Sequence, residues 1–160
     1  MNPKFLILLI FLSSLALGQE SKIVKILNDQ FKSEQKMYDA DDPEKPQLIQ
    51  PFQIRDGILS FEFFYRYEDK EVHYRREVLL DKIVRLDRDI NVILFTEEDD
   101  VKETIKEFDI TGELIAETRT EYHLFFLEIR KEFGNTKFRK QLLKAFEKAG
   151  YTVSNEYWAD

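Results

Sequence analysis

A change in hydrophobic period near residue 47 constrains the fold of this chain most strongly. Within residues 59–67 (LSFEFFYRY), apolar side chains alternate with mostly polar ones. Because successive side chains of a β-strand point to opposite faces, this pattern predicts a strand with one strongly apolar face. Asp56-Gly57 before it is a hairpin turn signal. The middle of the chain is therefore predicted to form an antiparallel sheet.

Further strands are predicted at short intervals. The alternation continues in 72–78, and 90–94 forms another strand between charged clusters. Residues 101–108 fit either a helix or a strand, and their position within a series of strands favours a strand. The segment 122–129 (YHLFFLEI) is apolar on both faces, which predicts a strand in the centre of the sheet.

Two segments follow the helical period instead. An apolar stripe behind a possible N-cap at Ser21 predicts an amphipathic helix over 21–38. Residues 39–46 (DADDPEKP) contain two prolines and four acids and are predicted to be a linker. A second helix is predicted between Asn135 as its cap and Gly150 as its left-handed stop. The apolar stripe of this second helix consists of Phe138, Leu142, Ala145, Phe146 and Ala149.

The first eighteen residues have the pattern of a secretory signal. A positively charged head, 1–4, precedes thirteen mostly apolar residues, 5–17. Ala16 and Gly18 are the small residues that a signal peptidase requires. The apolar run is shorter than the roughly 20 residues that span a bilayer. We therefore predict that residues 1–18 are removed and that the protein is exported, periplasmic or extracellular, with no transmembrane segment.

Charge and composition exclude several classes of function. A net charge of −7 disfavours nucleic-acid binding, which needs a basic surface for phosphate contacts. With no cysteine, the chain forms no disulfide or thiolate metal site, and it is not a lipoprotein. The hydrophobic fraction of 43% is sufficient for one core. We predict that the helix and acidic linker of 19–46 pack with the sheet and C-terminal helix of 47–160 as one domain.

The predicted fold class is α+β. It comprises an N-terminal helix, six or seven antiparallel strands in a curved sheet or partial barrel, and a C-terminal helix. Over 52–150, including the segment 78–83 (VLLDKI), this order of elements resembles pleckstrin-homology-like domains. It is also similar to small exported bacterial proteins of unassigned function. A cystatin-like or nuclear transport factor 2-like sheet wrapped on the first helix is the alternative, and none of these folds implies a function.

Motifs of the common enzyme classes are absent from the sequence. It contains no HExxH zinc motif, no Gly-rich phosphate loop and no G-x-S-x-G elbow. Asp87, Asp89, Asn91 and Glu98 match a calcium-loop register, but Val92 occupies the position at which the loop needs glycine. The sequence therefore predicts neither a metal nor a cofactor.

One group of basic residues is a candidate binding site. If the chain turns at Asp69-Lys70, Arg66 lies opposite His73 on the neighbouring strand. Arg66, His73 and Arg75 then share the sheet face opposite the aromatic face, where they could hold a carboxylate or phosphate group. The alternative is that nearby glutamates pair with these cations in solvent.

Two functions remain open at this point. The first is an exported non-catalytic binding or interaction protein whose ligand is an unidentified small molecule or protein. The second is a small exported hydrolase that uses carboxylates. An enclosed pocket containing a carboxyl of raised pKa favours hydrolysis, whereas an open groove without one favours binding.

Overall fold

The computed structural model describes residues 3–39, 42–130 and 135–159, with side chains from residue 18 onward. The helices are α1 (Pro3–Glu34) and α2 (Thr136–Lys148). The strands are β1 (Gln47–Arg55), β2 (Ile58–Arg66), β3 (Lys70–Leu79), β4 (Ile83–Arg88), β5 (Val92–Thr96), β6 (Val101–Asp109), β7 (Leu114–Tyr122) and β8 (Leu124–Phe126).

The strands pair antiparallel and form two sheets. One sheet has five strands in the order β1-β2-β3-β6-β7, and the other has three in the order β4-β5-β8. The predicted α+β class is confirmed, with one helix before the strands and one after them. The described residues form eight strands where the sequence predicts six or seven. Residues 101–108 lie in β6, as their position in the strand series indicated.

The prediction of one central strand over 122–129 is wrong. The chain ends β7 at Tyr122, bends at His123, and then forms the short β8 at the edge of the three-stranded sheet. The apolar pattern of this segment reflects burial in the core rather than a central position in a sheet. Its buried apolar members are Phe125, Leu127 and Ile129.

One hydrophobic core connects both sheets and both helices. Phe31 of α1 contacts Phe52 of β1 with their ring centroids 6.1 Å apart, and Phe52 stacks on Phe61 of β2 at 4.2 Å. The side chain of Asn28 accepts a hydrogen bond from the Phe52 N–H and donates one to the Phe52 carbonyl, each at 2.9 Å. The first helix is thus joined to the edge strand β1 by aromatic packing and by hydrogen bonds.

The first helix differs from its predicted bounds at both ends. It ends at Glu34 rather than Tyr38, and it begins well before Ser21, whose hydroxyl donates to the Gly18 carbonyl at 2.7 Å within the helix. Gly18 does not end the helix, because one glycine inside a helix costs only about 1 kcal/mol. Within the described residues, no helix is both long and apolar enough to cross a membrane.

The two hairpins of β1, β2 and β3 show where turn prediction succeeded and where it failed. Asp56 and Gly57 have φ values of 52° and 74°, which confirms the first turn. In the second hairpin the Tyr67 N–H donates to the Lys70 carbonyl at 2.9 Å, so the turn lies one residue earlier than predicted.

Arg66 consequently faces Glu71 and not His73, so the predicted pairing is wrong. The observed register places opposite charges across from each other, which favours it over the predicted one. The partner of Arg66 thus shifts by two residues along β3. Side chains alternate with a period of two, so each remains on its predicted face.

The C-terminal helix is close to its prediction. Asn135 occupies the N-cap position, and its side-chain oxygen accepts a hydrogen bond from Gln30 of α1 at 3.4 Å. Gly150 has a φ of 92° and ends the helix in the left-handed conformation. The tail that follows runs beside β4 and forms an isolated bridge between Arg88 and Trp158.

Candidate functional site

The face of the five-stranded sheet that points away from the core forms an open groove of about 1010 Å³. Strands β2, β3, β6 and β7 contribute to this surface, which we call the polar face. Because β2, β3 and β6 pair in continuous register, and β6 pairs with β7 without a break from Val101 to Glu107, the side chains of this face stand in rows across the strands. The rows are Glu62–Arg75–Thr104–Arg119, Phe64–His73–Lys106–Glu117 and Glu77–Lys102–Glu121.

Arg75 lies in the middle of the polar face between two carboxylates. Its guanidinium donates to Glu62 Oε1 and to Glu77 Oε1, each at 2.8 Å. The hydrogen bond to Glu77 is the main cause of a raised pKa for Arg75. The Arg75 side chain is 46% exposed, so water screens both ion pairs.

Glu71 stands between the other two basic residues of the predicted cluster. Arg66 Nε donates to Glu71 Oε1 at 2.8 Å, and His73 Nε2 lies 3.1 Å from Glu71 Oε2. The hydrogen bonds from His73 and then Arg66 lower the pKa of the Glu71 carboxyl. The imidazole of His73 is also flanked by aromatic rings, with centroid distances of 5.1 Å to Phe64 and 4.6 Å to Phe108.

Arg66, His73 and Arg75 therefore lie on the same face, but each of them has a glutamate partner. An incoming phosphate or carboxylate would have to displace Glu62, Glu71 or Glu77 from these contacts. The glutamate pairing that the sequence left open is the arrangement present in the structure. Anion binding at these three residues stays a prediction.

The β6–β7 side of the polar face adds a second set of matched charges. Glu117 accepts from Arg119 at 2.7 Å and lies 3.7 Å from Lys106 Nζ. The hydrogen bond from Arg119 is the main cause of a lowered pKa for Glu117. Lys102 forms no ion pair among the described residues, although Glu77 and Glu121 are its cross-strand neighbours. Cations and carboxylates are thus nearly balanced on this face of an acidic protein.

A second polar cluster, which sequence reasoning missed, lies on the opposite, core-facing side of the same sheet. Arg76 of β3 is only 7% exposed and donates to Glu103 Oε2 at 2.5 Å, to Glu128 Oε1 at 2.6 Å and to the Phe126 carbonyl at 2.7 Å. Its guanidinium also lies over the ring of Phe63, 5.0 Å from the centroid. Burial lowers the pKa of Arg76, but the two carboxylates outweigh burial and raise it.

Glu128 extends this buried cluster to further residues. Its second carboxylate oxygen accepts from the Tyr65 hydroxyl at 2.8 Å and from Arg130 Nη2 at 3.0 Å. Burial and the neighbouring Glu128 carboxylate raise the pKa of Tyr65. Glu128 has a φ of 53°, which is uncommon for a residue with a side chain. The one sequence signal for this cluster was Arg76 itself, an arginine at an inward position between Tyr74 and Val78.

Asp87, the first acid of the calcium-loop register, serves a structural contact instead. Asp87 Oδ1 accepts backbone N–H bonds from Glu156 and Tyr157 at 2.9 and 3.1 Å. Ile90 is 76% exposed, and β5 begins only at Val92. In the part of the chain that the structure describes, no three metal-binding side chains converge.

Comparison of the chain with protein-family models, with curated proteins and with solved structures finds no match.

Proposed function

We propose that the protein is an exported, non-catalytic binding protein that engages its ligand on the polar face of a pleckstrin-homology-like fold. The observation that carries this proposal is the open groove in which cationic and anionic side chains are matched in rows across four strands. Such a surface presents many hydrogen-bond donors and acceptors without a large net charge. It suits a polypeptide partner that carries both charges better than a single small anion.

The pKa values favour binding over hydrolysis. A pair of catalytic carboxyl groups needs one member whose pKa is raised, so that it stays protonated at neutral pH. The carboxyl groups with a shifted pKa on the polar face, Glu71 and Glu117, both have it lowered by hydrogen bonds from basic side chains. These groups act as acceptors within ion pairs and are poorly suited to donate a proton.

The proposal of export rests on the N-terminal sequence. Residues 1–18 combine a basic head, an apolar run and small residues at Ala16 and Gly18. Expression of the full chain should therefore yield an extracytoplasmic protein that has lost residues 1–18. Intact-mass measurement of the periplasmic and extracellular fractions checks this. A protein retained in the cytoplasm with its complete N-terminus would contradict export and leave the binding proposal unaffected.

Native mass spectrometry of the exported protein, purified without refolding, tests binding. We expect a retained or co-purifying polypeptide that is lost in Lys102→Glu, because this change alters the charge of the groove without breaking an ion pair of the described residues. Lys140→Glu is the matched control, since Lys140 is exposed on α2. A bare protein in every preparation, or equal loss of the partner in both variants, would oppose the proposed site.

A further inference from the structure

The two edges of the five-stranded sheet differ in their capacity to pair with another strand. Edge strand β1 contains Pro51, has two register irregularities against β2, and is joined to α1 through Asn28. Proline and bulges are features that prevent edge-to-edge pairing. The opposite edge strand, β7, contains neither proline nor glycine, and from Ala116 to Tyr122 it pairs with β6 in unbroken register.

Strand β7 is open on its outer side. Leu114 to Glu121 are exposed, and no described strand pairs with the side of β7 that faces away from β6. Its outward N–H and C=O groups are therefore available to an added strand. This edge is accessible and, from Ala116 to Tyr122, regular, in contrast to β1.

The sequence of β7 is complementary to itself in the antiparallel register centred on Thr118. When two copies are related by a twofold axis at Thr118, Glu117 of each copy lies opposite Arg119 of the other. In the same register Ala116 lies opposite Thr120, and these small side chains present no steric obstacle. Opposite charges directly across a strand pair stabilise it, whereas like charges destabilise it.

The neighbouring registers are disfavoured by the same charges. A twofold axis perpendicular to the sheet keeps each side chain on its own face, so the register can change only in steps of two residues. One such step places Glu117 opposite Glu117, and the step in the other direction places Arg119 opposite Arg119. The charges thus favour the register centred on Thr118 over both of its neighbours.

We propose that β7 is a self-association edge, through which two copies of this chain pair antiparallel about Thr118 into a continuous ten-stranded sheet. The two polar faces then lie side by side on the same surface of that sheet. The inference goes beyond the proposed function and does not depend on it, since it concerns the edge of β7 and not the ligand of the groove.

Charge reversal tests this pairing. Sedimentation velocity of the protein purified after expression of the full chain should show a concentration-dependent dimer at up to about 1 mM protein. Glu117→Arg alone and Arg119→Glu alone each place like charges across the proposed interface, and each should weaken dimerisation at least about tenfold. When these two variants are mixed, both pairs between positions 117 and 119 across the interface again have opposite charges, and a heterodimer should form.

The mixture distinguishes interface repulsion from misfolding, because two unfolded variants would not recover a defined dimer. Arg55→Glu at the β1 edge is the matched control and should dimerise like the unmodified protein. The proposal is overturned by a wild-type protein that stays monomeric throughout this range, by single variants that dimerise normally, or by a mixture that remains monomeric while each variant shows a native circular dichroism spectrum.

Discussion

Arg75 and Arg76 are neighbours on β3 with the same chemical arrangement on opposite faces of the sheet. Each guanidinium bridges two glutamates at 2.5 to 2.8 Å, Arg75 on the polar face and Arg76 against the core. The side chain of Arg75 is 46% exposed and that of Arg76 is 9% exposed. Geometry is therefore nearly constant between the two sites, while the surrounding dielectric differs greatly.

The contribution of an ion pair to stability therefore cannot be derived from its distances alone. In water, each Arg75 pair gains little, because solvent screens the charges and already satisfies them. In the core, Arg76 and its carboxylates have lost their water, so each charge depends on the others. The exposed site can exchange partners with a ligand at small cost, whereas the buried site holds β3, β6 and the segment after β8 together.

The largest effect should come from Arg76→Ala. The variant leaves Glu103 buried without its cation and Glu128 with Arg130 alone, which costs about 3–5 kcal/mol of unfolding free energy. Urea unfolding at neutral pH measures this loss. The triple variant Arg76→Leu, Glu103→Gln, Glu128→Gln should recover part of it, because it removes the charges together. A loss below about 1 kcal/mol for Arg76→Ala would show that solvent reaches the cluster.

The next effect concerns alkaline pH. Burial and adjacent carboxylates raise the pKa of Tyr65 and of Tyr122 in the folded protein. Above about pH 10, the ordinary pKa of tyrosine, the unfolded chain therefore loses these protons first. The contribution of these two tyrosines to the free energy of unfolding is complete below pH 10 and decreases as the pH rises above it. Unfolding free energies measured from pH 8 to about pH 11 should show this decrease.

Tyr65→Phe separates this contribution from general alkaline effects. The variant cannot ionise at position 65, so its stability should decline less steeply above pH 10 than that of the unmodified protein. Titration of tyrosine absorbance in the folded protein provides an independent measure. Equal slopes for both proteins would contradict the role of the Tyr65–Glu128 hydrogen bond in this pH dependence.

The smallest effect on stability should come from Arg75→Ala. Since both of its ion pairs are screened, we expect a change of about 0–1 kcal/mol in unfolding free energy, which decreases further in high salt. Urea unfolding at low and high ionic strength checks this. A loss as large as that of Arg76→Ala would mean that exposure does not separate these two arginines, and the comparison would fail.

Local patterns accounted for much of the fold. The alternation in β2 and β3, the Asp56-Gly57 turn and the stripe that ends at Gly150 all depend on neighbours in sequence, and each was predictable. The segment 122–129 was not, because an apolar pattern records burial without recording which sheet a strand joins. The second hairpin was also missed by one residue, since its turn contains no Asn-Gly or Asp-Gly signal.

The candidate site was likewise predictable only in part. Alternation alone places Arg66, His73 and Arg75 on one face, and the structure agrees with that placement. From the sequence, pairing of these cations with glutamates was only one of two alternatives. Whether a cation is free or paired depends on rotamers and distances, which the sequence does not show. Lys102 and Arg119 join the same face only when β6 pairs with β3 and β7 pairs with β6.

The periods, the first turn and the faces could be derived from the sequence, because these follow from the geometry of successive residues on one strand or helix. Only the tertiary structure decided which strands meet, that Glu103 and Glu128 converge on Arg76 from distant positions, and that β7 is an open edge. The contacts of Arg76 alone join residues separated by as many as 52 positions. Their formation depends on the summed packing of the whole core, which no local pattern encodes.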